Sequence, residues 1–208
     1  MKKISQTEIQ NLMALHQKGL DDDLISKATS LVREYPEEII LFNLLGVSFE
    51  KKGYLKKAAD AYKKALEINP NIPEMNFNLG AILFSENKVE EAIQFYEKSI
   101  QLNNRFPEAH FNLGITFQSV GKFDEAIQCY QKAIQIQPGF FEAITNMGTI
   151  KQLQGHLDEA AEFFKKSLSI REDGRGHYNL ANVLRNQGNL SISINHYRKA
   201  IELGSGEA

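Results

Sequence analysis

The sequence has one cysteine, five prolines and almost no net charge, its 24 basic residues facing 26 acidic ones for a formal −2 over 208 residues. With Cys129 alone, no intrachain disulfide can form, which excludes the disulfide-stapled secreted scaffolds and points to a reducing compartment. The balanced charge leaves no broad basic surface, so nucleic acid is not an expected partner. A membrane is not one either. The most apolar run, residues 39–49, is too short for a bilayer span, and the two lysines near the start precede no apolar stretch of signal-peptide length. The expectation is a soluble, cytoplasmic protein.

Catalytic motifs are missing too. There is no glycine loop ending in Gly-Lys-Ser/Thr, no nucleophile elbow and no His-Glu-x-x-His helix. His16, His110, His156, His177 and His196 are scattered, and Cys129 has no activating neighbour in sequence, so packing or solvent roles are expected of them. No enzyme activity, cofactor or metal is expected.

What is present is a repeat. Asn-Leu-Gly at 78–80 returns at 112–114, as Asn-Met-Gly at 146–148 and as Asn-Leu-Ala at 179–181, at spacings of 34, 34 and 33. Extended outward, this frame divides a single array over 1–208 into six repeats: 5–38, 39–72, 73–106, 107–140, 141–173 and 174–207. The eighth position is small (Gly46, Gly80, Gly114, Gly148, Ala181), which permits close helix approach. The fifteenth holds Gly19, Gly53, Asn87, Gly121, Gly155 and Gly188, residues that tolerate the left-handed conformation that stops a helix. In the second half of each repeat, a small residue at position 20 (Ala58, Ala92, Ala126, Ala160, Ser193), an aromatic at 24 (Tyr62, Tyr96, Tyr130, Phe164, Tyr197) and another small residue at 27 lie on one helical face. All five prolines fall at repeat boundaries, where they interrupt no helix.

These residues resemble the tetratricopeptide repeat family, most strongly from 39 to 171; repeat one is divergent, with Asn11-Leu12 in place of Leu-Gly, and repeat six lacks the closing proline. The resemblance implies an all-α fold, a right-handed α-solenoid superhelix of helix-turn-helix hairpins. It further implies that positions 2, 5, 6, 9, 12 and 13 of the first helices line a concave groove. Position 6 holds Asn78, Asn112, Asn146 and Asn179, a column similar to the asparagine ladder of the repeat arm of O-GlcNAc transferase. A side-chain amide carries both a donor and an acceptor and can grip an extended backbone irrespective of its sequence. In repeat two the column breaks, with Leu44 at position 6. Phe77, Phe111 and Tyr178 at position 5 and Phe84 at position 12 are candidates to clamp ligand side chains, with packing inside the protein as the competing role. Glu74, Glu108 and Glu142 recur at position 2, either as an acidic stripe or as acids favouring helix N-termini. The carboxylate clamp of tetratricopeptide co-chaperones is not expected, because Lys51 and Arg185 stand far apart and Lys151 replaces an apolar residue at position 11.

The leading expectation is a noncatalytic scaffold that binds extended peptides or partner proteins in its groove. One alternative is the substrate-recruiting arm of a larger glycosyltransferase or sulfotransferase, with the chain continuing into a further domain. The other is a self-assembling module, a homo-oligomer joined through an apolar face formed by Ile194, Tyr197, Ile201 and Leu203, which no later helix covers before the closing stretch 204–208.

Overall fold

The computed structural model describes residues 3–204; residues 1–2 and the closing stretch 205–208 lie outside it. Two compact units divide after Asn104: Met1–Asn104 and Arg105–Ala208. The first holds α1 (Gln6–Gln17), α2 (Asp21–Glu34), α3 (Ile39–Lys51), α4 (Leu55–Ile68), α5 (Pro73–Ser85) and α6 (Val89–Leu102). The second holds α7 (Pro107–Ser119), α8 (Phe123–Ile136), α9 (Phe141–Leu153), α10 (Leu157–Ile170), α11 (Gly174–Asn186) and α12 (Leu190–Glu202). Among the described residues every regular element is an α-helix, and no helix is long and apolar enough to cross a membrane. The fold is an all-α solenoid of helical hairpins. Within each unit every helix packs on the next, and α1 also touches α3, as α9 touches α11.

Local chemistry sets the helix limits. Ser5 and Glu8 form a capping box on α1, Asp173 Oδ1 accepts the Gly176 N–H at the start of α11, and Pro73 and Pro107 open α5 and α7. At the turns inside the hairpins, φ runs from +68° at Gly19 to +81° at Gly188, and Asn87 takes +60°. A Cβ added at Gly155 would meet nothing within 4 Å, so only its φ of +80° resists substitution. Gly155→Ala is therefore expected to cost about 1–2 kcal/mol, read as a lower urea midpoint with an unchanged slope.

The small-large-small face forms the hairpin interior. The position-20 and position-27 residues are buried, and between them Tyr62, Tyr96, Tyr130 and Phe164 are at most 1% exposed. Where position 27 is serine, its hydroxyl ties the second helix to the start of the first: Ser99 Oγ donates to the Pro73 carbonyl at 2.8 Å and Ser167 Oγ to that of Phe141 at 3.2 Å. In the last hairpin Tyr197 is only half-buried; its ring meets Tyr178 edge-on at 5.9 Å and its hydroxyl donates to Asn182 Oδ1 at 2.7 Å. Ile194, Ile201 and Leu203 are 49%, 66% and 48% exposed.

Candidate peptide-binding groove

The second unit contains a hollow of about 640 Å³. Phe111, Ile115, Gln118 and Ser119 reach it from α7, Phe123 from the start of α8, Phe141, Glu142, Thr145, Asn146 and Leu153 from α9, and Asp173 and Arg175 from the start of α11. Most of these stand at positions 2, 5, 6, 9, 12 and 13 of their repeats, which lie along one side of each first helix. The lining is mainly apolar. Leu153, at a position filled by glutamine, lysine, serine or asparagine in the other repeats, is 65% exposed there.

Tyr130 organises the polar part of the wall. Burial pushes its hydroxyl well above the ordinary tyrosine range, so the group keeps its proton at neutral pH. It donates to Gln118 Oε1 at 2.7 Å and accepts from Asn146 Nδ2 at 3.3 Å. That orientation consumes one donor of the Asn146 amide, leaving its Oδ1 and a second N–H. The hydroxyl thus fixes the amide without occupying both of its functions. The counterpart in the first unit is Tyr62, whose hydroxyl donates to Glu50 and interacts with Asn78. Burial raises the Glu50 carboxyl, and the tyrosine bond opposes that rise.

Of the residues singled out by sequence, Phe111, Glu142 and Asn146 come together in this hollow. Phe111 also packs within the unit, its ring 5.7 Å from Tyr130 and 4.8 Å from Phe140, so the ring that lines the hollow is held by packing. Asn112 and Asn179 are half-buried and Tyr178 is 48% exposed; none of the three is part of the hollow's lining. Opposite Asn179 the aromatic of the preceding hairpin is Phe164, which has no hydroxyl to orient it. Asn78, Phe77 and Phe84 belong to the first unit, where all three are half-buried and Phe77 lies 5.8 Å from Tyr96. Lys151 pairs with Glu159 at 2.8 Å. The sequence reading passed over Gln118, Ile115, Phe123, Leu153 and Arg175. Leu153 and Arg175 were detectable, as an apolar residue at position 13 and as the charge reversal that ends the glutamates of position 2.

Family comparison agrees with the repeat fold. Residues 107–140 and 140–205 match the Tetratricopeptide repeat family, and residues 46–85 and 80–121 match its TPR repeat description. The chain belongs to the tetratricopeptide repeat family. No curated protein is matched by its sequence. Among solved structures, it is similar to a crystal structure of MamA, at 27% identity and a TM-score of 0.74 over 82% of this chain and 97% of that one. It also superimposes on PilF of Pseudomonas aeruginosa, with 17% identity and a TM-score of 0.82 over 97% and 92% of the two chains. For PilW, a type IV pilus biogenesis factor, the values are 20% and 0.81 over 94% and 91%. At those identities PilF and PilW speak for the fold alone. The resemblance to the O-GlcNAc transferase arm gains nothing from these matches and rests on the four asparagines.

Proposed function

We propose that this tetratricopeptide repeat protein is a docking scaffold whose second unit holds an extended segment of a partner polypeptide, with a bulky apolar side chain of that segment inserted in the hollow. The observation that carries this reading is Leu153, mostly uncovered beside Phe111, Ile115 and Phe123, with the oriented Asn146 amide in the same wall. Magnitudes rank the two contributions. A neutral hydrogen bond to a peptide backbone adds about 0.5–1.5 kcal/mol net, whereas burying a Leu or Phe side chain adds about 1.5–3. The apolar insertion therefore sets affinity, and the amide sets the path of the backbone.

The test is an array of immobilised peptides of varied sequence probed with the intact chain and with Leu153→Asp, a substitution on an exposed side chain that leaves the helices intact. Bound peptides are expected to share a bulky apolar residue, and the variant to bind them roughly tenfold or more weakly, the equivalent of about 1.4 kcal/mol. Equal binding by a variant of unchanged helicity contradicts the reading.

Exposed leucine and isoleucine on α12 favour a second reading, self-association. Leu190, Ile192, Ile194 and Ile201 are each about half or more exposed, and Ile192 stands where the four preceding hairpins carry Lys57, Glu91, Glu125 and Glu159. Light scattering over a concentration series separates the two: a particle mass that grows with concentration and reverts in Ile192→Glu supports association, and a constant monomer mass removes it.

A further inference from the structure

His177 on α11 and His196 on α12 lie 19 residues apart, yet their Nδ1 atoms approach to 2.8 Å. Their rings stack with centroids 5.1 Å apart and planes 30° apart, and His177 is 5% exposed. On its other side His177 Nε2 lies 3.2 Å from Glu172 Oε1, the oxygen that also takes the Lys199 ammonium. A chain of polar groups therefore runs from Lys199 through Glu172 and His177 to His196, joining α12, the link before α11, and α11 itself.

Proton arithmetic limits this chain. A carboxylate can only accept, so His177 Nε2 carries a hydrogen and donates it to Glu172. The contact between the two Nδ1 atoms then has room for one hydrogen, carried by either ring. If His196 carries it and its Nε2 is bare, both rings are neutral. If His177 carries it, that ring is a cation and His196 stays neutral with its hydrogen on Nε2. A second positive charge on the pair would set two N–H groups head to head across 2.8 Å.

We propose that the His177–His196 pair is an acid-sensitive latch on the terminal hairpin, holding α11 to α12 while one proton is shared between them and releasing α12 when a second proton arrives. The nearby lysines push against a second charge on His196. Lys165 from α10 and Lys199 from α12 both disfavour further positive charge on His196, Glu172 is the anion on the His177 side, and Glu202 acts in turn on Lys199. Burial first, then His177, Lys199 and Lys165, hold the His196 ring below the ordinary histidine range. The unfolded chain takes up that proton at about pH 6.5, so the folded hairpin keeps its full stability above that pH and loses it as pH falls below and through the depressed folded value.

The test is residue-resolved hydrogen exchange on the full chain at pH 7.5 and pH 5.0, corrected for intrinsic exchange rates. Protection of α12 amides is expected to fall by up to about tenfold per pH unit below the ordinary histidine range, the limit for uptake of one proton. The α5 and α6 amides, in a hairpin without histidine, keep theirs. His196→Gln retains a neutral partner for His177 and is expected to flatten the α12 profile. If that variant fails to fold, the ring Cε1–H signals of the unaltered protein decide: a His196 midpoint below that of the exposed His156, coincident with loss of α12 protection, supports the latch. Both rings titrating in the ordinary range with α12 protection unchanged overturns it.

Discussion

Tyr130→Ala is expected to lower stability by about 3–5 kcal/mol, the range for truncating a large, fully buried aromatic. The ring is 0% exposed between Ala126 and Ala133, and the core around it includes Phe140 from the link before α9 and Ala143, Met147 and Ile150 from α9. Its removal opens a cavity at the seam between two hairpins, where a solenoid derives its stability from neighbour contacts. Tyr130→Phe, in contrast, is expected to cost only about 1 kcal/mol, since it keeps the packing and removes hydrogen bonds to Gln118 and Asn146. Phe164 already fills the same place one repeat later with no hydroxyl. Urea unfolding of both variants measures the difference, and a Tyr130→Phe loss as large as that of Tyr130→Ala would show that the polar network, not the ring, supports the seam.

Glycines at the eighth position should separate sharply from one another. A Cβ built on Gly46 would lie 2.4 Å from Tyr62 Cε1, with two more ring atoms at 2.6 and 2.8 Å, and the ring is fully buried. Overpacking of that kind costs about 1–3 kcal/mol, while replacing a helical glycine with alanine returns about 1 kcal/mol of helix propensity. The clash wins, and Gly46→Ala is expected to lose up to about 2 kcal/mol net. At Gly80 the same Cβ would sit 3.1 Å from Tyr96, a distance relieved by a shift of a few tenths of an ångström. Gly80→Ala is thus expected to be near neutral. Thermal unfolding of the pair checks this; equal effects would mean that propensity, not ring contact, governs the position.

Most of the fold was legible because the repeat is written in residue size. A glycine or asparagine fifteen places into each repeat marks the turn, and the small residues flanking one aromatic mark the buried face of the second helix; the twelve helices among the described residues fall inside those limits. The division after Asn104 left no such mark, since the repeats run through it in phase. The groove was legible in part. Periodicity pointed to Asn146 and Phe111, but that Tyr130 orients the amide depends on a contact sixteen residues back in another hairpin. His177 and His196 looked unrelated for the same reason. They occupy positions 4 and 23, which face each other across this hairpin; other repeats place apolar residues at those positions, Phe42 and Ala61 or Ile144 and Phe163. In the last repeat two titratable rings at those positions turn the seam into a polar link.

The central claim, an apolar side chain and an extended backbone held in the hollow of the second unit, is tested most directly by nuclear magnetic resonance on the labelled chain titrated with a peptide retained on the array. The account predicts that the Asn146 side-chain amide, the Leu153 methyls and the Phe111 and Phe123 rings shift together and saturate with one affinity. Shifts confined to Ile192, Ile194 and Ile201 on α12, with the Asn146 amide and the Leu153 methyls unmoved, would contradict it.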